Sequence, residues 1–249
     1  MTQNRIKKKP VFKDSKPSTD WKSRVWRWFY KSILYFFVGT ILWVVVLKFV
    51  PVWLTPFMIS RKIEAIADGK DSKIYSEWTS IENISKEAPL AVVSSEDQKF
   101  PEHWGFDFKA MYNAFRYNMR GKKIRGASTI TQQVAKNVFL WQGRSYVRKG
   151  LEVYFSLLIE LIWGKERILE VYLNVAETGP MTFGVEAASQ RFFGHSANTL
   201  SRNEAAIIAA VLPNPIRFSI KNPSGYVNQR SNKIARQMRM LGRAYVGKL

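Results

Sequence analysis

The sequence contains no cysteine and only two histidines, His103 and His195. The lack of cysteine excludes a disulfide framework, a thiolate nucleophile and cysteine-ligated zinc, and it leaves the cellular compartment open. Neither histidine has a partner at a metal-binding spacing such as His-Glu-x-x-His. Chemistry based on a cysteine or on a histidine-held metal is therefore not indicated.

Acidic residues are also scarce, since 19 Asp and Glu stand against 39 Lys and Arg and give a net charge of +20 over 249 residues. Such an excess predicts an anionic partner, either nucleic acid or the phosphates of a membrane and its lipids. With 46% hydrophobic and 23% charged residues, the composition is that of an ordinary folded chain. It excludes wholesale disorder and a coiled coil, and the length suits one domain with appendages.

Charge is absent from one stretch near the N-terminus, residues 33–47, which is flanked by Lys31 and Lys48. The uncharged stretch is shorter than the ~20 residues that a membrane-spanning helix needs. The flanking lysines are separated by about 25 Å along a helix, however, and each can extend its ammonium group to one interface. With tryptophan and tyrosine at the two ends, the pattern predicts a membrane span over residues 28–50.

Two other interpretations of this stretch are a buried core helix and a cleaved signal peptide. A core helix should have a polar face, which is missing over four turns, and no small-x-small cleavage site comes after the apolar run. We therefore predict a basic cytoplasmic tail (1–27), a transmembrane anchor with its interface (28–54) and an extracytoplasmic domain (55–249). An extracytoplasmic domain weakens the nucleic-acid interpretation.

Beyond the anchor, the apolar spacing is mostly helical and strand alternation is scarce. Three segments fit a 3.6-residue period, and a fourth opens with the capping pair Ser201 and Glu204; they are residues 108–119, 146–162, 166–173 and 201–211. A basic helix with an apolar seam is predicted over residues 228–243, and taken alone it is best interpreted as a solvated surface helix. The sequence predicts a mainly α domain.

The first candidate functional segment, residues 94–107, carries four carboxylates and His103 directly after an apolar run. An apolar run draws the next residues of the chain into the interior, and a partly buried carboxylate is a suitable general base. A charged turn is the alternative interpretation of this segment alone.

The second segment, residues 121–137, has glycines at the spacing of a phosphate-binding P-loop, but Ala127 stands where that loop needs lysine. Thr129 and Gln132 form a predicted capping box at the start of a helix, where free N–H groups attract anions. Amides and cations on one side of this helix would suit a sugar, and a polar solvent-facing surface is the alternative.

The third segment, residues 144–152, places Arg144, Arg148 and Lys149 before Glu152. These cations could form a pocket for a diphosphate, with Glu152 orienting them or holding a metal ion. The alternative is a surface helix pair that contributes only a few tenths of a kcal/mol.

Taken in this order, the segments resemble the motifs of the family 51 peptidoglycan glycosyltransferases, in particular its monofunctional, membrane-anchored members. The matching strings cover about residues 85–220: ED..F..H.G from Glu96, G.STITQQ from Gly126, RK..E from Arg148, K..ILE.YLN from Lys165 and FG.EAA from Phe183. The resemblance implies a lysozyme-like helical glycosyltransferase domain with a membrane-associated subdomain, preceded by one transmembrane helix. Its activity would be the polymerisation of lipid II into β-1,4-linked glycan strands.

The resemblance also implies residue roles. Glu96 would be the general base and Glu152 the second functional carboxylate, while Glu170, Asn174 and Glu186 would be scaffold and the segment 177–184 receives no role. The implied substrate-binding residues are Asp97, His103, Gly126, Ser128, Thr129, Gln132, Gln133, Lys136, Asn137, Arg144, Arg148 and Lys149.

No cofactor is firmly implied; Mg²⁺ or Mn²⁺ is the candidate ion, with Glu152 as its candidate ligand. The implied partners are lipid II, the lipid-linked glycan chain, the bilayer of a bacterial inner membrane and other cell-wall synthesis or division proteins, but no nucleic acid.

Two alternative functions remain. One is a lysozyme-like hydrolase or lytic transglycosylase, which needs no diphosphate pocket, and the other is a non-catalytic membrane scaffold. No serine is followed by lysine three positions later and Lys-Thr-Gly does not occur. The acyl-serine signature of transpeptidases is therefore absent, and peptide cross-linking is expected from another protein.

Overall fold

The computed structural model describes residues 21–121, 126–143 and 145–248. These residues contain ten α-helices and three short strands, and the chain divides into two compact units between Trp43 and Val44. The helices are α1 (Trp21–Phe49), α2 (Pro56–Ala67), α3 (Glu87–Glu96), α4 (Phe108–Asn118), α5 (Ile130–Phe139), α6 (Tyr146–Ile162), α7 (Lys165–Val175), α8 (Val185–Phe193), α9 (Arg202–Val211) and α10 (Gly225–Leu241). The strands are β1 (Tyr75–Ser76), β2 (Glu177–Gly179) and β3 (Thr182–Phe183).

Helix α1 is long and apolar enough to cross a membrane, with a mean hydropathy of 2.1 in its most apolar window. Its 29 residues correspond to about 43 Å of helix, more than the ~30 Å hydrocarbon core of a bilayer. Only 6% of that window is buried within the protein. The protein thus has one candidate membrane-spanning helix among the described residues.

The last turns of α1 are joined to the rest of the second unit. Val44 is buried, and its carbonyl accepts a hydrogen bond of 2.7 Å from Nε1 of Trp163. Nη2 of Arg167 donates to the carbonyls of Leu47 (2.8 Å) and Val50 (2.5 Å). The final carbonyls of a helix have no partner within it, so this guanidinium satisfies them and complements the helix dipole.

The helical prediction is confirmed in each of the four periodic segments, which form α4, α6, α7 and α9. Both predicted capping boxes are present, at the starts of α5 and α9. Helix α3 lies at the centre of the core and packs against α9 and α10, while α5 packs against α6 and α7. The basic helix predicted over residues 228–243 is present as α10: its apolar seam buries Val227, Ile234 and Met238 against this core, and only its basic face is solvated.

The scaffold around the three-stranded sheet depends on contacts that join distant segments. The side chain of Asn174 donates to the carbonyl of Thr79 (2.9 Å) and accepts from its N–H (2.8 Å), while Glu170 accepts from the N–H of Ile81 (3.1 Å). Glu186 accepts from the N–H of Ala197 (2.7 Å). These contacts confirm the scaffold roles predicted for the three side chains.

Candidate active site

Glu96 is the last residue of α3, and its carboxylate is held at both oxygens. Nε2 of Gln133, in α5, donates to Oε2 at 3.1 Å. Nη2 of Arg230, in α10, lies 3.2 Å from Oε1 and forms an ion pair with it. Two side chains that are distant in sequence therefore fix the carboxylate plane.

The amide of Gln133 is oriented in turn by Tyr172 of α7. The Tyr172 hydroxyl donates to Oε1 of Gln133 at 3.2 Å, which turns the amide NH₂ group towards Glu96. Burial, and next the negative charge of Glu96, raise the pKa of this hydroxyl well above its ordinary value. Tyr172 therefore stays protonated and remains a donor.

Asp97 and His103 join the first motif to the start of α5. Asp97 accepts from the N–H of Ile130 at 3.1 Å, and Nε2 of His103 lies 2.9 Å from the Asp97 carboxylate. Nζ of Lys165 donates to the carbonyl of His103 at 2.5 Å. The Asp97 carboxylate thus complements the positive end of the α5 dipole and fixes α5 relative to Glu96.

Thr129 and Gln132 also hold the start of α5. The Thr129 hydroxyl donates to the carbonyl of Gly105 at 2.6 Å, and the Gln132 side chain accepts from the Thr129 N–H at 3.1 Å. Both side chains are buried. Their contacts are structural, and the substrate contact predicted for them stays a prediction.

The carboxylate of Glu96 faces a cavity of about 700 Å³, which we call the Glu96 chamber. This volume lies in the range of small-molecule sites. Of the predicted substrate-binding residues, five line this chamber: Asp97, Gly126, Ser128, Thr129 and Gln133. Arg230 lies in the same wall.

A second cavity of about 260 Å³, the Lys136 chamber, adjoins the first. Gln133 and Pro213 belong to the walls of both chambers. Asn137 lines the Lys136 chamber, is only 6% exposed, and its Oδ1 has no hydrogen-bond partner among the residues that the structure describes. A buried carbonyl oxygen without a partner is a suitable acceptor for a ligand hydroxyl or N–H.

Cations gather beside the Lys136 chamber. Glu152 is only 4% exposed and pairs with Nη1 of Arg148 (3.0 Å) and Nζ of Lys149 (2.5 Å). Burial lowers the pKa of Lys136, as do the charges of Arg148 and Lys149, while Glu152 acts to raise it. The three cations thus share one carboxylate, which leaves a positive charge surplus. Arg144 lies outside the described residues.

The surroundings of Glu152 do not suit a divalent cation. Such ions prefer several oxygen ligands, whereas both carboxylate oxygens of Glu152 accept from cationic side chains. Across the described parts of the chain, no group of three or more His, Cys, Asp or Glu side chains is arranged to hold a metal ion.

Sequence reasoning missed Arg230, Tyr172 and the wall of the Lys136 chamber formed by Phe57, Arg61 and Glu177. A signal for Arg230 exists, because it lies in the apolar seam of α10, between Val227 and Ile234. An arginine inside such a seam needs a partner.

Glu177, from the segment given no role, pairs with Arg61 at 3.2 Å. Burial raises the pKa of the Glu177 carboxyl, an effect that Arg61 opposes.

Comparison of the sequence with known proteins identifies the family of the chain. The family model described as "Transglycosylase" matches residues 61–239. A biosynthetic peptidoglycan transglycosylase of Pseudomonas entomophila is 53% identical over 85% of this chain and 90% of its own length. Proteins of the same name from Shewanella oneidensis and Pasteurella multocida are 49% and 47% identical, over 91% and 90% of this chain and 96% and 94% of their own lengths. The chain belongs to the transglycosylase family.

Proposed function

We propose that the protein is an inverting peptidoglycan glycosyltransferase. It polymerises lipid II into β-1,4-linked glycan strands and releases undecaprenyl diphosphate. One observation carries this proposal: the Glu96 chamber and the Lys136 chamber share the wall residue Gln133. A fixed carboxylate, Glu96, therefore lies next to a cavity that has three cations beside it. A glycosyl transfer from a diphosphate needs a base and a cationic site for the leaving group in this proximity.

In the proposed reaction, Glu96 removes the proton from the acceptor's 4-hydroxyl group. The oxygen then attacks the anomeric carbon of the lipid-linked chain from the face opposite the diphosphate. The new C–O bond forms as the bond to the diphosphate oxygen breaks, so the configuration changes from α to β. The electron pair leaves with the diphosphate, whose developing charge is stabilised by Lys136, Arg148 and Lys149.

Gln133 and Arg230 act on Glu96 as positioning residues. Their contacts hold the carboxylate in one orientation before the acceptor binds. Such preorganisation contributes to rate because the reacting groups need no rearrangement.

The cation group favours a synthase over the hydrolase alternative. A hydrolase that cuts glycan between sugars releases no diphosphate and needs no such group. A non-catalytic scaffold would have no use for a fixed carboxylate that faces a cavity of about 700 Å³.

Membrane placement is part of the proposal. We infer a single-pass protein of the bacterial inner membrane, with the basic N-terminal tail in the cytoplasm and the catalytic domain outside, because basic residues favour the cytoplasmic side. Helix α4 supports the membrane-associated subdomain, since its Phe108, Tyr112 and Phe115 are more than half exposed. Other cell-wall synthesis or division proteins are the proposed protein partners.

Incubating the detergent-solubilised full chain with labelled lipid II tests this function. A synthase produces lengthening glycan products, whereas a hydrolase shortens preformed glycan. The Glu96→Gln variant should fold normally and lose polymerisation, and the exposed Glu102, changed to Gln, is the matched control. Retained activity in Glu96→Gln would remove Glu96 as the base, and an inactive wild type would favour the scaffold.

A further inference from the structure

Helix α2 has apolar residues on two opposite faces. Its inner face packs on α5 and buries Met58. Its outer face carries Ile59, Ile63 and Ile66, which are 44%, 62% and 60% exposed. Spacings of four and three residues place these isoleucines in one stripe along the helix, which we call the isoleucine stripe.

The chain holds α2 close to the end of the candidate membrane-spanning helix. Six residues separate Phe49, which ends α1, from Pro56, which begins α2, so the gap is at most about 25 Å. Trp53 and Leu54, within this connection, are 69% and 56% exposed. Exposed tryptophan next to a spanning helix is typical of the membrane interface.

The inner face of the same helix forms a wall of the Lys136 chamber. Phe57 and Arg61 line that chamber, and Nζ of Lys136 lies 5.9 Å from the centroid of the Phe57 ring. The position of α2 therefore determines the position of this wall.

We propose that α2 is an interfacial helix, with the isoleucine stripe inserted at the boundary between lipid headgroups and acyl chains. Lys62, exposed beside the stripe, extends to the lipid phosphates. The helix thereby holds the Lys136 chamber at the depth of the phosphates. This last consequence rests on the proposed function, while the membrane contact itself does not.

The bilayer fits the stripe better than a protein partner does. Three side chains fall well short of the ~800 Å² per partner that a stable protein interface buries. A helix already tethered to a membrane needs little apolar area to stay at its surface, because the tether keeps it there at high local concentration.

The absence of cysteine allows a direct test, because a cysteine introduced by mutation carries the only thiol label. An environment-sensitive fluorophore is attached to Ile63→Cys in the full chain, which is reconstituted in phosphatidylethanolamine and phosphatidylglycerol vesicles. Met240→Cys, at a position that is 85% exposed on α10, is the matched control. We expect nitroxide-labelled lipids to quench the probe at position 63 several-fold more than the probe at 240, and aqueous iodide to do the reverse.

Equal quenching by iodide at both positions would overturn the proposal. Shielding of position 63 from both quenchers that grows with the protein-to-lipid ratio would instead indicate a second copy of the chain, and it too would overturn the proposal.

Kinetics separate the membrane contact from the fold. The triple change Ile59→Ser, Ile63→Ser and Ile66→Ser should raise KM for lipid II about tenfold in vesicles and leave it nearly unchanged in detergent. An equal effect in both media would contradict a membrane role. The quenching measurement needs no activity, so an inactive wild type would count against the proposed function alone.

Discussion

At the scale of single residues, the fixed carboxylate of Glu96 is the central feature. Two of its contacts come from elements that are far apart in sequence: Gln133 lies on α5, which packs on α7, and Arg230 lies on α10, which packs on α3. The Arg230 contact positions the carboxylate more than it stabilises the fold, because a partly exposed ion pair contributes at most ~1 kcal/mol.

Arg230→Gln should therefore lower kcat for lipid II polymerisation by about tenfold, because the carboxylate loses the ion pair at Oε1 that helps to fix its orientation. The free energy of unfolding should change by less than ~1 kcal/mol. Steady-state kinetics and thermal unfolding measure the two effects. Arg236→Gln, at an exposed position on the same helix, is the control, and an unchanged kcat in Arg230→Gln would contradict the positioning role.

Lys136 gives a pH prediction. Burial lowers its pKa, so its charge is lost at a lower pH than that of an exposed lysine, and stability should rise with pH between the folded and unfolded values. If this cation binds diphosphate, wild-type activity should decline earlier on the alkaline side than that of Lys136→Arg, whose guanidinium stays protonated. Initial rates across the alkaline range check this, and coincident profiles would exclude Lys136 as the titrating cation.

The sequence could predict most of the candidate functional residues but only part of their arrangement in space. Glu96, Gln133 and Lys136 are each marked by a motif, and the structure brings them together around two chambers. Tyr172 lies in the K..ILE.YLN string and Arg230 in the apolar seam of α10, but neither pattern reveals the partner of the side chain, because the partners are determined by how α7 and α10 pack. The capping contact of Gln132 with Thr129 was predictable, whereas the contact of Asp97 with the Ile130 N–H at the start of α5 becomes visible only in three dimensions.

At the scale of elements, two glycines separate two effects of adding a side chain: strain in the backbone conformation and a steric clash with neighbouring atoms. Gly184 and Gly194 both have positive φ, 85° and 79°. A Cβ at Gly184 would lie 2.6 Å from the carbonyl oxygen of Asn174, whereas a Cβ at Gly194 meets nothing within 4 Å. The connection from β3 into α8 therefore depends on the absence of a side chain.

Gly194→Ala should cost about 1 kcal/mol of unfolding free energy, which is the conformational strain alone. Gly184→Ala should cost more than about 3 kcal/mol, because the backbone of α7 must also move. Chemical denaturation of the two variants measures the difference. Equal losses would mean that the close approach to Asn174 is not maintained in solution.

Helices α4, α6 and α7 were predictable because a 3.6-residue apolar period repeats in each, whereas α2, α3 and α8 were not predicted. The strands were not, since two or three residues are too few to show an alternation. The packing of α10 was also missed. Its seam is visible in the sequence, but the surface that covers the seam comes from α3 and α9.

At the scale of the whole molecule, the charge excess is concentrated towards the two ends. Residues 1–31 carry ten basic and two acidic residues, and residues 201–249 carry nine basic residues and one acidic residue. The first group supports the proposed membrane orientation, since basic segments are retained on the cytoplasmic side.

Single cysteines test this orientation in the otherwise cysteine-free chain. In right-side-out membrane vesicles, a membrane-impermeant maleimide should label Met240→Cys but not Gln3→Cys until detergent is added. Labelling is read by gel shift of the full chain. Labelling of position 3 in sealed vesicles, with position 240 protected, would reverse the proposed topology.

The wall that Gln133 shares between the two chambers has a consequence for repeated turnover. Suppose that the acceptor occupies one chamber and the growing strand the other. Each round then ends with the newly added disaccharide still in the acceptor chamber, on the far side of Gln133 from the chamber of the growing strand. The strand must then advance past one amide by one disaccharide before the next lipid II enters.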